Sequence, residues 1–255
     1  MVEFTIERLG HHGDGIAPGL VYVPGSLPGE RVSGTLDGQT LREVRILEPS
    51  ADRVAAPCRH FKACGGCQLQ HAADPLVAGW KVGVVDKALK SQGLETELRP
   101  IQTSPSQSRR RATFAAKRTK KGAMAGFYGR ASDVIVETPD CTLLDPDLMQ
   151  GRSVAEEIAL VGASRKAVLA VTVTVSQGGL DVAVTGGKPL DGPLRMTLAQ
   201  QAEGLGLARL PWEDDVIATR QRPQQQFGKA LVTPPPGAVL QATAHGESAL
   251  LDAVR

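Results

Sequence analysis

Three of the chain's four cysteines fall within ten residues, in the stretch CRHFKACGGCQLQH. Five residues separate Cys58 from Cys64 and two separate Cys64 from Cys67, while Cys141 lies far downstream. The N-terminus, MVEFTIERLG, carries acids where a secretory leader would carry an apolar run, and no stretch approaches the roughly 20 apolar residues of a spanning helix. These features point to a cytoplasmic protein without a membrane span. There, thiols stay reduced and serve as metal ligands or redox groups more readily than as disulfides. A four-thiolate site suits tetrahedral zinc or a [4Fe-4S] cubane. Structural zinc commonly uses two Cys-x2-Cys arms, so three close ligands and one remote one favour the cubane. Gly65 and Gly66 suit either, because they allow a tight turn and leave amides free to donate to sulfur. His60 and His71 flank the motif and read as surface or core residues.

The rest of the chain describes a mixed α+β protein, and its 42% hydrophobic content is enough to build cores. Residues 1–50 are short strands cut by Gly and Pro (EFTIERL, GIAPGLVYVPG, ERVSGTL, LREVRILE), the pattern of a small OB-like barrel. GHHGDGIAPG lacks the Walker lysine and reads as a barrel loop. From Asp74 to Gln92, Leu76, Trp80, Val84, Val85 and Leu89 recur at helical spacing, with Gly93 as a stop. Strands dominate the middle. RRRATFAAKRTKKGAMAGFYGR forms two of them joined by a Lys-Lys-Gly turn, and VLAVTVTVSQGGLDVAVTGG a hairpin with Leu169, Val171, Val173 and Val175 on one face. A helix follows from about Pro193 to Ala202, then strands to Val232, the stop TPPPG, and a last helix near His245.

Seven of the thirteen residues from Arg109 to Lys121 are basic and none is acidic. As a strand and turn, Arg109, Arg111 and Lys117 share one face and Arg110 and Arg118 the other, with Phe114 between them, followed by Lys120 and Lys121. Such a hairpin can track RNA phosphates while an aromatic stacks on an unpaired base. A solvated basic edge that deters aggregation is the other reading. An OB-like barrel, a fold that commonly binds oligonucleotides, favours RNA.

The order of IERLGHHGDGIA, VYVPGSLPGERV, CRHFKACGGCQLQH, SRRRATF, GFYGRASDVIVETPDC and VLQATAHGE resembles the bacterial RNA uracil-5-methyltransferases. The likeness is to their 23S ribosomal RNA branch, which carries a TRAM barrel and an iron-sulfur cluster. The resemblance implies three parts: a TRAM RNA-binding domain at 1–52, a central iron-sulfur domain at 53–237 and the start of a Rossmann-like, S-adenosylmethionine-dependent catalytic domain at 238–255. It implies that Cys58, Cys64, Cys67 and Cys141 hold a [4Fe-4S] cluster without redox turnover. Arg109, Arg110, Arg111, Lys117, Arg118, Lys120 and Lys121 then contact RNA, and the helix at 74–93 folds back onto the catalytic domain. Gln241 matches the glutamine of a Phe-x-Gln-x-Asn motif that contacts S-adenosylmethionine, although Val239 and Thr243 stand where that motif has Phe and Asn. The expected partner is 23S rRNA and the expected state a monomer.

Methylating carbon 5 of uracil requires a thiolate to add to carbon 6, the resulting enolate to attack the sulfonium methyl, and a base to remove the carbon-5 proton. With four cysteines committed to a cluster, no thiol remains for that addition, and no strand followed by a glycine-rich turn provides a doubly wound cofactor site. In the family, the cofactor loop, nucleophilic cysteine and base follow the segment matched by LLDAVR. The expectation is therefore an RNA-recognition half, inactive by itself. Rival readings are a stand-alone RNA-binding iron-sulfur or zinc protein and an electron-transfer protein.

Overall fold

The computed structural model describes residues 1–255, which divide into two compact units. The first comprises Met1–Phe61 and Cys67–Thr103, the second Lys62–Gly66 and Ser104–Arg255.

The first unit opens with six strands: β1 (Val2–Thr5), β2 (Arg8–Leu9), β3 (Gly15–Ala17), β4 (Val21–Val23), β5 (Arg31–Asp37) and β6 (Thr40–Glu48). They pair in the order β1-β5-β6-β4-β3-β2, and every stretch marked as strand in the sequence supplies at least one. Their alternating apolar residues bury Ile6, Ala17, Val21, Val23, Val32 and Leu41 together. Beside this core lies Glu30, fully buried. Its carboxylate accepts from the amides of Leu27 (2.8 Å) and Ser50 (3.2 Å) and from Arg53, at 2.5 Å and 2.8 Å. Burial alone would raise the Glu30 pKa. The hydrogen bond from Arg53, the two amides and the Arg53 charge outweigh it, so the carboxyl titrates below its ordinary range.

Helix α1 (Asp74–Ser91) begins with Pro75 in its first turn and stops before Gly93, whose φ is +70°. Leu76, Val77 and Trp80 pack against Leu9, Leu27 and Ala72, and the Trp80 indole donates to the Gly10 carbonyl at 3.1 Å. Within the first unit the helix is seated on the N-terminal strands. The boundary expected at residue 52 falls inside this unit.

The second unit is built on a seven-stranded sheet of β7 (Arg111–Arg118), β8 (Ala123–Tyr128), β9 (Ile135–Val136), β10 (Leu169–Ser176), β11 (Gly179–Thr185), β12 (Arg209–Trp212) and β13 (Asp215–Thr219). The order is β13-β12-β11-β10-β7-β8-β9. Only β11 and β12 run parallel, and helix α3 (Gly192–Gly204), capped by Asp191, makes the crossover that a parallel pair requires. The hairpins β7–β8 and β10–β11 and helix α3 lie where the sequence places them. A small hairpin, β14 (Gln225–Phe227) with β15 (Ala230–Val232), and helix α4 (Ala244–Val254) complete the unit.

Helix α2 (Pro146–Gly162) interrupts a region expected to be strands. Asp145 caps it by accepting from the Asp147 amide at 2.9 Å, Pro146 starts it, and Leu148, Val154, Ala155, Ile158 and Ala159 bury one face on the sheet. Its last residue, Gly162, meets Trp212, which is 1% exposed. A Cβ added at Gly162 would lie 2.1 Å from the indole, and one at Gly187 2.0 Å from it. The ring fits only because both glycines lack a side chain, and its Nε1 donates to the Lys188 carbonyl at 3.1 Å.

Candidate nucleic-acid interface and thiol motif

The basic run starts just before β7 at Arg109 and Arg110, continues along the strand and ends in the turn after it. Ala112, Phe114 and Ala116 point into the core, so Arg111, Thr113 and Lys117 take the opposite face. Thr113 and Thr172 join their hydroxyls there at 2.8 Å. Arg109, Arg118, Lys120 and Lys121 are exposed, and the Thr119 amide closes the turn onto the Gly122 carbonyl at 2.8 Å. β7 is an interior strand, paired with β10 on one side and β8 on the other; Arg109 lies just before its start and Arg118, Lys120 and Lys121 at its far end, with no acidic residue within the run to offset them.

Two members of the run behave differently from expectation. Phe114 is 1% exposed and stacks on Phe127 with centroids 5.1 Å apart, so it is a core residue and cannot receive a base. Strand alternation places it among core positions once the partner face is known. Arg110 turns to the segment before α4: its amide donates to the Ala242 carbonyl (3.0 Å), its Nε to the Gln241 carbonyl (3.2 Å), and its terminal nitrogen to Glu247. Arg109 is held by backbone pairing, its amide donating to Leu143 and its carbonyl accepting from Asp145. The Arg111 Nε is buried without a hydrogen-bond partner.

Gln241 lies in this same segment. Thr243 caps α4 by accepting from the Gly246 amide at 2.9 Å and shares a 2.7 Å hydrogen bond with Ser104. That cap role explains a threonine at the last motif position, while Val239 is 90% exposed. Glu247 and Ser104 drew no attention in the sequence, where only their neighbours carry a pattern.

All four cysteines are free thiols. Cys58 and Cys67 fall in the first unit, Cys64 and Cys141 in the second. Cys64 is buried and bridges to Gly129; its sulfur accepts from the Gly66 amide at 3.4 Å, the kind of donor that tunes a metal thiolate. The Gly65 amide meets the Tyr128 carbonyl at 2.9 Å. Cys141 is half-buried against the second unit's core. The donor chemistry fits a thiolate-bound metal, but no three His, Cys, Asp or Glu side chains come together as a metal-holding group. His71 is buried and packs its ring on Phe61, centroids 5.5 Å apart, as a core histidine does. A groove of about 650 Å³, which no local pattern announces, lies between β2 and α1, lined by Leu9, Leu76, Trp80, Val84, Arg8 and Lys87.

No family model matches the chain. An uncharacterised RNA methyltransferase of Brucella suis is 35% identical over 97% of the chain and 60% of its own length. One from Caulobacter vibrioides is 37% identical over 99% of the chain and 63% of its own length. A 23S rRNA (uracil(1939)-C(5))-methyltransferase of a Marinomonas species is 36% identical over 57% of the chain and 35% of its own length. The relatives matched over nearly the whole chain are named RNA methyltransferases. The chain spans about 60% of the length of these curated relatives. A solved structure, the Pyrococcus abyssi tRNA (uracil-54, C5)-methyltransferase with S-adenosyl-L-homocysteine, superposes with a TM-score of 0.68. It covers 99% of this chain and 64% of its own, at 17% identity, a likeness of fold. No helix is long and apolar enough to cross a membrane.

Proposed function

We propose that this chain is the RNA-recognition part of a cytoplasmic, monomeric, S-adenosylmethionine-dependent methyltransferase that makes 5-methyluridine in 23S rRNA. The observation that carries the reading is the set of exposed cations at the two ends of β7 and in its turn, in a chain related to RNA methyltransferases over 97% of its length. Arg109, Arg118, Lys120 and Lys121 would contact phosphates, with Arg111 and Lys117 on the adjoining face; the first six strands would act as a TRAM barrel. Gln241 would contribute to the S-adenosylmethionine site.

Cys58, Cys64, Cys67 and Cys141 would hold a [4Fe-4S] cluster that shapes the RNA-binding surface. The protein residues supply thiolates and the Gly66 amide that donates to Cys64. Each thiol so assigned is unavailable for addition to uracil carbon 6, so the 255-residue chain should bind RNA without transferring a methyl group.

Filter binding of an oligoribonucleotide across a salt series tests the interface. Each lost phosphate contact among Arg109, Arg118, Lys120 and Lys121 should lower the slope by about one. An unaltered slope in all four alanine variants assigns the run to solubility. Incubation with RNA and labelled S-adenosylmethionine tests the rest, and 5-methyluridine formed by this chain refutes it. Anaerobic purification yields a brown protein if the cysteines hold the cluster and a colourless one if they hold zinc.

A further inference from the structure

We propose that Arg110 is a positioning residue, the clasp that hangs the Gln241–Glu247 segment on the strand of exposed cations. The inference rests on the RNA-methyltransferase reading for its meaning and on geometry for its substance. Helix α4 has no buried residue, and Leu250, Leu251 and Val254 are 58%, 41% and 86% exposed. Apolar packing therefore does little to hold this helix in place. Polar contacts do it instead, and Arg110 makes most of them.

From one residue, the backbone amide reaches the Ala242 carbonyl, Nε reaches the Gln241 carbonyl and the guanidinium end reaches Glu247. The two side chains of the ion pair are only 13% and 25% exposed. A guanidinium so engaged has its charge neutralised and its donors directed inward, leaving little for a phosphate. Around it, Arg109 pairs by backbone with both Leu144 and Thr243, and Ser104 holds the Thr243 hydroxyl. Arg110 is thus removed from the RNA contacts and couples their strand to the segment that carries Gln241. RNA seated on Arg109 and its neighbours would steady this segment through the clasp.

The test uses the full 255-residue chain, with amide hydrogen exchange of residues 241–254 and oligoribonucleotide binding across salt. Arg110→Ala should speed exchange in that segment by about tenfold or more, the worth of a charge-assisted hydrogen bond. The salt slope should stay unchanged. Glu247→Gln, which leaves every basic residue in place, should speed the same amides, and Arg110→Glu combined with Glu247→Arg should restore part of the protection. Unaltered exchange in both single variants overturns the proposal, as does a salt slope lowered by about one in Arg110→Ala. Failure of the RNA reading is distinguished by the parent chain: no RNA affinity there removes that reading and leaves the exchange result to judge the clasp.

Discussion

Replacing Glu30 by Gln keeps the shape of the side chain while removing its charge and turning one acceptor into a donor. In the folded protein that carboxylate accepts four hydrogen bonds, from Leu27, Ser50 and twice from Arg53. Gln can satisfy the donors at one oxygen only, so about two of them lose their partner, and the Arg53 guanidinium loses its counter-charge. Breaking a fully buried pair costs about 3–5 kcal/mol. The Arg53 side chain is 25% exposed and Glu30 not at all, so water recovers part of the loss and about 2–3 kcal/mol is expected. The effect carries a pH signature. The folded carboxyl titrates below its ordinary value, so the unfolded chain binds the proton more readily and stability rises with pH through that window. The contribution is complete above the ordinary value of about 4.3 and fades as pH falls through the lower folded one. Urea unfolding followed by Trp80 emission, in a Trp212→Phe background so that only the first unit's indole reports, should show the full difference at pH 7. The gap should narrow toward pH 3. Equal stabilities at pH 7, or a gap indifferent to pH, would refute the reasoning.

Phe114→Ala should cost about 3–5 kcal/mol in thermal or urea unfolding by removing a core ring and its stack on Phe127, while RNA affinity measured well below the transition stays the same. A specific loss of RNA binding with stability intact would return Phe114 to the surface role expected from the sequence. Gly162→Ala gains about 1 kcal/mol of helix propensity and loses more, because the new methyl lies 2.1 Å from the Trp212 ring. Net destabilisation with a changed Trp212 near-ultraviolet dichroism is expected, and a more stable variant would contradict that. Thr243→Ala should weaken α4 by about 1 kcal/mol through loss of its cap, seen as faster amide exchange confined to residues 244–254. Exchange no faster than in the parent chain would show that the cap contributes nothing.

What the sequence conveyed and what it concealed follow from the range of the interactions. Alternation over two residues marks β10 and β11, and helical spacing marks α1, because each pattern is complete within its own segment. Helix α2 carries Gly151 and Gly162, residues of low helix propensity that here serve close packing against the sheet. The cationic run was visible as composition, but the fate of its members was not. Arg110 finds Glu247 at 137 positions' distance and Trp80 finds Gly10 at 70, separations at which no local pattern carries information. The four cysteines were conspicuous for a similar reason in reverse: their spacing is local, whereas the gathering of ligands around a metal is not.

Trp212 between its two glycines has a meaning for anyone mapping tolerance to substitution across this chain. A saturation screen scored by yield of folded protein should return Gly162 and Gly187 as positions where almost every replacement fails, while neighbouring surface residues accept most changes. On such a map these two sites would stand out as sharply as a reaction centre. Their constraint comes from the width of one indole ring, and intolerance there reports room rather than chemistry.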